Sequence, residues 1–164
     1  MSRYFPNDSH IDRLAARLLD RTLAKSQWTH AAHLASALWL LRRESDRPVE
    51  RDMPCIIRAY NEATGVPNTD ASGYHETITM ASIRAARAFL ARQPSSLPLH
   101  EIVDRLMDTA LGDSRWLLAH WSEQRLFSVE ARRRWVEPDL RPLAETSETT
   151  RKGADSDPRA PNPS

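Results

Sequence analysis

Cysteine and glycine are scarce in this chain of 164 residues, which contains one cysteine and four glycines. A single cysteine cannot form a disulfide within the chain, so disulfide bonds do not hold the fold together. Glycine and β-branched residues are sparse beside alanine, leucine and arginine, and this balance favours helix over sheet. The composition therefore predicts an all-α protein with no significant sheet. Cys55 is followed by two isoleucines, and we expect it to be buried.

The chain also lacks a large net charge and a long apolar run. Its formal net charge is +1 at pH 7, which creates no general attraction to nucleic acid. The longest apolar stretch, residues 31–41, contains His33 and Ser36 and is too short to cross a bilayer. The first eight residues have no apolar segment of the kind found in signal peptides. We therefore expect a cytoplasmic protein with no nucleic-acid or membrane partner, and the sequence leaves its oligomeric state open.

Apolar residues recur at helical spacing through most of the chain, which predicts a compact bundle of about six helices. The second of these is apolar almost all round and should lie at the centre of the bundle. Pro54 lies inside the third and should kink it or delay its start. The predicted segments are delimited by capping and turn residues and cover residues 8–23, 30–43, 48–65, 74–92, 99–112, 116–121 and 128–134.

A change in composition near the C-terminus predicts the domain boundary. Beyond Glu137 the chain is rich in proline, serine and threonine and poor in apolar residues. Such a segment buries too little apolar surface to offset the entropy of ordering. The composition therefore predicts one helical domain followed by a tail, beyond Glu137, that is mostly disordered.

Two histidines open the second predicted helix, in the segment Trp28-Thr29-His30-Ala31-Ala32-His33. Residues three apart lie on the same face of a helix, so His30 and His33 can point into one cavity. Imidazoles on an apolar helix are costly to bury without partners. A metal ion, a carboxylate or a bound ligand would supply one, although many such pairs are structural.

The segment Gly73-Tyr74-His75-Glu76 stands at the predicted start of the fourth helix. A helix N-terminus disfavours imidazolium and favours carboxylate, so His75 should be neutral and Glu76 ionised. His75 and Glu76 are therefore candidate acid–base groups, and Tyr74 is a candidate ligand-binding residue. Capping of the helix alone also accounts for Glu76.

Three more polar residues precede this segment: Tyr60, Asn61 and Asn68. Their hydroxyl and amide groups could hydrogen-bond a ligand in the same pocket. Asn68 could equally serve only to shape a turn, which is the commoner role of asparagine in such loops.

If the starts of the second and fourth helices meet, His30, His33 and His75 form one metal site. Glu76 would be a fourth ligand or a base. Three histidines, or two with a carboxylate, suit a divalent ion such as Zn²⁺ or Fe²⁺. Without a metal, the same groups could form an acid–base pair or hold a polar ligand.

Several of these segments together resemble an uncharacterised bacterial family of all-helical proteins. The resemblance covers most of residues 10–140 and implies one intact domain, but it implies no reaction. It also implies that residues 137–143 dock on the domain, so we expect a helical domain over residues 1–143 and a disordered tail over residues 144–164. The segments that carry it are Trp28-Thr29-His30 with His33-Leu34, Tyr60-Asn61-Glu62-Ala63, Val66-Pro67-Asn68-Thr69, Gly73-Tyr74-His75-Glu76-Thr77-Ile78-Thr79, Arg125-Leu126-Phe127-Ser128, Glu130-Ala131-Arg132, Trp135-Val136 and Pro138-Asp139-Leu140.

Three functions are compatible with this sequence. The leading hypothesis is a small enzyme, with or without a divalent metal ion, that acts on a polar small molecule through the histidine and glutamate pocket. The first alternative is a non-catalytic module that binds a small ligand in the same pocket. The second is a helical interaction protein whose histidines are structural.

Overall fold

Seven α-helices form within residues 2–143, the part of the chain that the computed structural model describes. No strand occurs in this part, so the predicted all-α bundle is confirmed. The predicted disorder of residues 144–164 lies outside the described residues. The helices are α1 (Asp8–Leu19), α2 (His30–Arg42), α3 (Val49–Ala63), α4 (Glu76–Leu90), α5 (Leu99–Met107), α6 (Glu123–Leu126) and α7 (Val129–Arg133).

α2 lies at the centre of the bundle, as its apolar character predicts. Its first turn is capped by Thr29, whose hydroxyl accepts a hydrogen bond from the Ala32 amide at 3.2 Å. The helix packs against α1, α3, α4 and α5. Leu34 and Leu38 are 1% and 0% exposed, so the core of the bundle is built around this helix. No helix within residues 2–143 is long and apolar enough to span a membrane.

α3 begins at Val49 and continues through Pro54, so the delayed start that Pro54 suggested does not occur. A proline near the start of a helix removes one main-chain hydrogen bond, and the burial of Met53 and Tyr60 on the same helix offsets that loss. The expectation that Cys55 is buried is wrong, because it is exposed. Cys55 lies two positions beyond Met53, and that step of about 200° turns it away from the core.

The segment after α5 packs on the outer face of α4. Its connections include two short 3₁₀ turns, Ala110–Gly112 and Trp116–Ala119. The fully buried Trp121 donates from Nε1 to the Val136 carbonyl at 3.0 Å. Thr77 at the start of α4 donates from Oγ1 to the Arg134 carbonyl at 2.9 Å and accepts from the Val136 amide at 3.2 Å. These bonds bring α6 and α7 beside the N-terminus of α4.

Asp8, in the first turn of α1, caps the start of α5. Its carboxylate accepts from the backbone amides of Leu99 and His100 at 3.0 and 2.8 Å, and it contacts His100 Nδ1 at 2.6 Å. The residue before α5 is Pro98, whose side chain offers no capping bond. A carboxylate from a distant helix therefore satisfies the free amides of α5.

Arg87 of α4 joins three elements of the bundle through two carboxylates. Its guanidinium donates to Glu44 at 2.6 and 2.8 Å and to Glu50 at 2.7 Å. Glu44 also accepts from the amide of Val49 at 2.8 Å, at the start of α3. Hydrogen bonding to Arg87 lowers the pKa of Glu44.

Arg87→Met is expected to lower the free energy of unfolding by about 1.5–3 kcal/mol at pH 7, because it removes charge-assisted hydrogen bonds. A carboxyl group with a lowered pKa stabilises the fold above its unfolded pKa, and this contribution is lost as the pH falls through the folded pKa. The difference in unfolding free energy between wild type and Arg87→Met should therefore become smaller below pH 4 in urea unfolding experiments. Arg51→Met, at an exposed position of α3, is the control and should change little. Equal losses in the two variants would contradict this role for Arg87.

Candidate ligand-binding site

A cleft of about 360 Å³ opens between the start of α2, the end of α3 and the start of α4. Phe127 and Arg132, from the α6–α7 region, form part of its wall. Its lining combines aromatic and aliphatic side chains with a few polar ones, as small-molecule sites do. The lining residues are Trp28, His33, Ile57, Asn61, Val66, Gly73, Tyr74, His75, Ile78, Thr79, Phe127 and Arg132.

Asn68 organises the loop between α3 and α4 and does not line the cleft. Its Oδ1 accepts from Asn61 Nδ2 and from the Tyr74 amide, each at 3.0 Å. Its Nδ2 donates to the Arg58 carbonyl at 3.1 Å. The side chain thus ties the end of α3 to the residue before His75, which is the turn-shaping role that the sequence left open.

Gly73 fits against this asparagine only because it has no side chain. Its φ is +77°, and a Cβ there would lie 2.5 Å from the Pro67 carbonyl oxygen and 2.6 Å from Asn68 Oδ1. Gly65 has a similar φ of +75°, but no atom would lie within 4 Å of an added Cβ. The two glycines therefore share the left-handed backbone but differ in their surroundings.

Gly73→Ala is expected to lower the free energy of unfolding by about 2–3 kcal/mol, because it adds a clash to the backbone strain. Gly65→Ala, the matched control, should cost about 1 kcal/mol from strain alone. Thermal or urea unfolding measures both. Equal losses would show that the loop can shift away from the new methyl group at little cost.

His75 is the N-cap of α4, and both of its ring nitrogens form hydrogen bonds. Nδ1 accepts from the Ile78 amide at 3.3 Å, and Nε2–H donates to the Leu126 carbonyl at 2.9 Å. Burial lowers the pKa of His75, and the positive charge of Arg132 adds to this shift. The ring is therefore neutral at pH 7, and it joins the start of α4 to the end of α6.

Tyr74 and Glu76 pair with each other on either side of His75. The Tyr74 hydroxyl donates to Glu76 Oε2 at 2.7 Å, and the Arg58 guanidinium lies 4.4 Å from the Tyr74 ring centroid. Burial, followed by this bond, raises the pKa of Tyr74. Tyr74 lines the cleft with its ring, whereas Glu76 is absent from the lining.

Tyr60 is also absent from the cleft lining. It is 1% exposed, and its hydroxyl donates to the Leu23 carbonyl at 3.1 Å. This contact joins α3 to the end of the α1 segment, so in the structure Tyr60 packs in the core and holds two elements together.

His30 and His33 lie in the same helix but make different contacts. His30 Nε2 lies 2.7 Å from the carbonyl oxygen of Leu111, in the Ala110–Gly112 turn. His33 lines the cleft, and its ring centroid lies 4.0 Å from that of Trp28. Neither nitrogen of His33 has a hydrogen-bond partner among residues 2–143, so this is the imidazole of the cleft that is free to act on a ligand.

The pKa of His33 is lowered, first by desolvation among the packed atoms of the cleft and then by the charge of His30. Much of the residue is nevertheless exposed to solvent, so water moderates this shift. The ring is therefore neutral at pH 7, with one nitrogen available as an acceptor and the other as a donor.

Across residues 2–143, no group of three or more histidine, cysteine or acidic side chains is arranged to hold a metal ion. Two of the three histidines predicted as ligands already have partners. His30 contacts the Leu111 carbonyl, and both nitrogens of His75 are hydrogen-bonded. A metal ion shared by His30, His33 and His75 would require these bonds to break.

Asn61 is the most buried polar group of the cleft with free bonding capacity. It is 9% exposed, and its Nδ2 donates to Asn68. Within residues 2–143, its Oδ1 has no hydrogen-bond partner, and this atom is accessible to water. An acceptor without a protein partner is open to a bond from water or from a ligand.

Arg132 is a cleft residue that sequence reasoning missed. Its Nη1 donates to the carbonyls of Gly73 and Tyr74 at 3.1 and 3.2 Å. No carboxylate within residues 2–143 lies close enough to pair with it, whereas the neighbouring Arg133 pairs with Asp70 at 2.6 Å. In a run of three arginines, no sequence signal distinguishes the one that faces a cleft.

Comparison with protein-family models, curated proteins and solved structures finds no match to this chain. The resemblance to a bacterial helical family therefore stays a prediction.

Proposed function

We propose that this protein binds a small polar molecule in the cleft between α2, α3 and α4. The observation that carries this proposal is the side-chain amide of Asn61, a largely buried residue of the cleft lining whose Oδ1 has no hydrogen-bond partner within residues 2–143. Together with the two free nitrogens of His33, it offers bonding capacity on one side of a cavity large enough for a metabolite-sized molecule.

The walls of the cleft supply the non-polar part of such binding. Trp28 and Phe127 present aromatic surface, and Phe127 is 61% exposed at the edge of the cleft. Burial of these surfaces against a ligand would stabilise the complex, while the polar groups would fix its orientation. A molecule bound in the cleft would also shield the exposed ring of Phe127 from water.

A screen of polar fragments by protein-observed NMR tests this proposal. We expect chemical-shift changes in the Asn61 side-chain amide and in the backbone amides around Tyr74. His33→Phe should weaken the bound fragments about tenfold, because it keeps the aromatic contact with Trp28 and removes the ring nitrogens. His10→Phe, at an exposed position of α1, is the matched control and should change nothing. Fragments that bind only outside the cleft would refute the proposal.

Catalysis by His33 is a second candidate function. The observation that favours it is a neutral, unpaired imidazole in a cleft, which is the state that a general base requires. The base would take a proton from a water molecule as that water attacks a carbonyl carbon, and the leaving group would depart with the electron pair of the broken bond. Turnover of p-nitrophenyl acetate that is lost in His33→Phe, and that in wild type falls as the pH drops through the lowered pKa of His33, would support this function.

The predicted catalytic role of His75 with Glu76, and the predicted Zn²⁺ or Fe²⁺ site, stay predictions. Metal analysis of protein purified without a histidine tag tests the second. Stoichiometric metal that is lost in His33→Phe would support a site at the cleft. Such a site would also need His30 or His75 as a ligand, and these histidines are hydrogen-bonded to the carbonyls of Leu111 and Leu126. Removal of the metal should therefore also shift the NMR signals of Leu111 or Leu126.

A further inference from the structure

The charge of the cleft lining has one sign only. Arg132 is its one charged residue, no aspartate or glutamate belongs to it, and His33 and His75 are both neutral at pH 7. A ligand with a single negative charge would be paired in this cleft. A free ammonium group would find no carboxylate, so cations and zwitterions fit it poorly.

The guanidinium of Arg132 is held in place with part of its donor set unused. Nη1 is fixed by the carbonyls of Gly73 and Tyr74, while Nε and Nη2 have no partner within residues 2–143. Two parallel N–H groups on one edge of a guanidinium match the two oxygens of a carboxylate. The bonds of Nη1 thus hold the guanidinium in place and leave the Nε–Nη2 edge without a protein partner within residues 2–143.

Asn61 and Arg132 both line the cleft and are linked through a series of hydrogen bonds. Its Nδ2 bonds to Asn68 Oδ1, which bonds to the amide of Tyr74, and the carbonyl of Tyr74 accepts from Arg132. The free Oδ1 of Asn61 can only accept, so the ligand must place a donor there. A ligand that carries a hydroxyl group as well as a carboxylate meets both requirements.

A narrow apolar extension continues the cleft between α2, α3 and α4. It has a volume of about 70 Å³, and Ala37, Met53, Ser82 and Ile83 line it in addition to residues shared with the main cleft. Since a cavity needs about 10–15 Å³ of such space to hold one water molecule, the extension has room for a short hydrocarbon group. Its lining favours a short branched or linear hydrocarbon group.

We infer that the ligand is a small monocarboxylate with a hydroxyl group near the carboxylate and a short apolar tail. The inference rests on the proposed function and adds the ligand class to it. The carboxylate pairs with Arg132, the hydroxyl donates to Asn61, and the tail enters the extension beside Met53 and Ile83.

Four probes of matched shape test the parts of this inference by NMR titration: 2-hydroxy-4-methylpentanoate, its primary amide, leucine and lactate. The hydroxy acid should bind most tightly. The neutral amide and the zwitterionic leucine should each bind at least about tenfold more weakly, since they lose the paired charge or add an unpaired one. Lactate lacks the tail and should bind about tenfold more weakly.

Variants assign each preference to its residue. Arg132→Met should abolish the preference for the acid over the amide while leaving amide binding in place, and Arg132→Lys should retain part of it. Arg134→Met is the matched control and should retain all of it, because Arg134 is exposed and pairs with Glu130. Ser82→Leu should fill the extension, so that 2-hydroxy-4-methylpentanoate no longer binds more tightly than lactate. The Lys variant keeps the test valid if the Met variant does not fold.

The results separate this inference from the proposed function. If fragments and the amide bind in the cleft as tightly as the acid, the carboxylate assignment is wrong and the proposed function stands. If inorganic phosphate binds more tightly than the hydroxy acid, the carboxylate assignment is likewise wrong. If neither the probes nor any fragment perturbs the cleft signals, both proposals fail.

Discussion

Leu38→Ala in α2 is expected to lower the free energy of unfolding by about 2–5 kcal/mol. Leu38 is fully buried, and α2 packs against α1, α3, α4 and α5, so no single neighbour can collapse into the space left by the missing atoms. The loss combines the transfer free energy of the removed carbons with the cost of the cavity. Urea unfolding followed by circular dichroism measures it.

The control for Leu38→Ala is Leu19→Ala, at the end of α1. Leu19 is 45% exposed, and its truncation should cost only a few tenths of a kcal/mol. A loss of that size at Leu38 would mean that α2 is not the centre of the core.

His75→Ala is expected to cost about 2–4 kcal/mol, a large effect for a residue at a helix end. The variant loses the cap on Ile78, worth about 1 kcal/mol. It also leaves the Leu126 carbonyl without its donor, which adds about 1–3 kcal/mol. His75→Asn should recover most of the cap but not the contact with Leu126, so its stability in urea unfolding should lie between those of Ala and wild type. Equal stability of wild type, His75→Ala and His75→Asn would show that neither the bond to Ile78 nor the bond to Leu126 stabilises the fold.

The same residue should make the protein less stable in acid. The folded pKa of His75 is lowered, so the unfolded chain binds the proton more readily. The stability due to the neutral ring is present above the unfolded pKa of about 6.5 and is lost as the pH falls through the folded pKa. Unfolding measured at pH 7.5 and pH 5 should show this fall in wild type and a smaller one in His75→Asn. The same comparison on His33→Phe measures the separate contribution of the other neutral imidazole. If His75→Asn lost as much stability between pH 7.5 and pH 5 as wild type does, the acid sensitivity would not come from His75.

The helices were predictable because their signals are local. Thr29 and Ser128 are capping residues that precede apolar turns, and each hydroxyl accepts from the amide three residues on. The apolar surface all around α2 likewise requires neighbours on every side. α6 was missed because it is only four residues long, Glu123–Leu126, and too short to show a period.

The candidate site was predictable only in part, because its partners are distant in the sequence and several are backbone atoms. The neutral state of His75 follows from its place at a helix N-terminus, but its contact with the carbonyl of Leu126 does not. His30 and His33 share a helix face by spacing, yet a carbonyl 81 residues away engages His30 alone. A backbone oxygen carries no residue identity, so no sequence pattern points to it.

The contact between Asp8 and the start of α5 has a consequence for the order in which the molecule is completed. The capping carboxylate is separated from the Leu99 amide by 91 positions. During synthesis α1 is made long before the helix that it caps, and it must wait while α2, α3 and α4 form. α1 is thus joined to α5 only after the intervening helices have been made, so this hydrogen bond links parts of the bundle that are far apart in the chain.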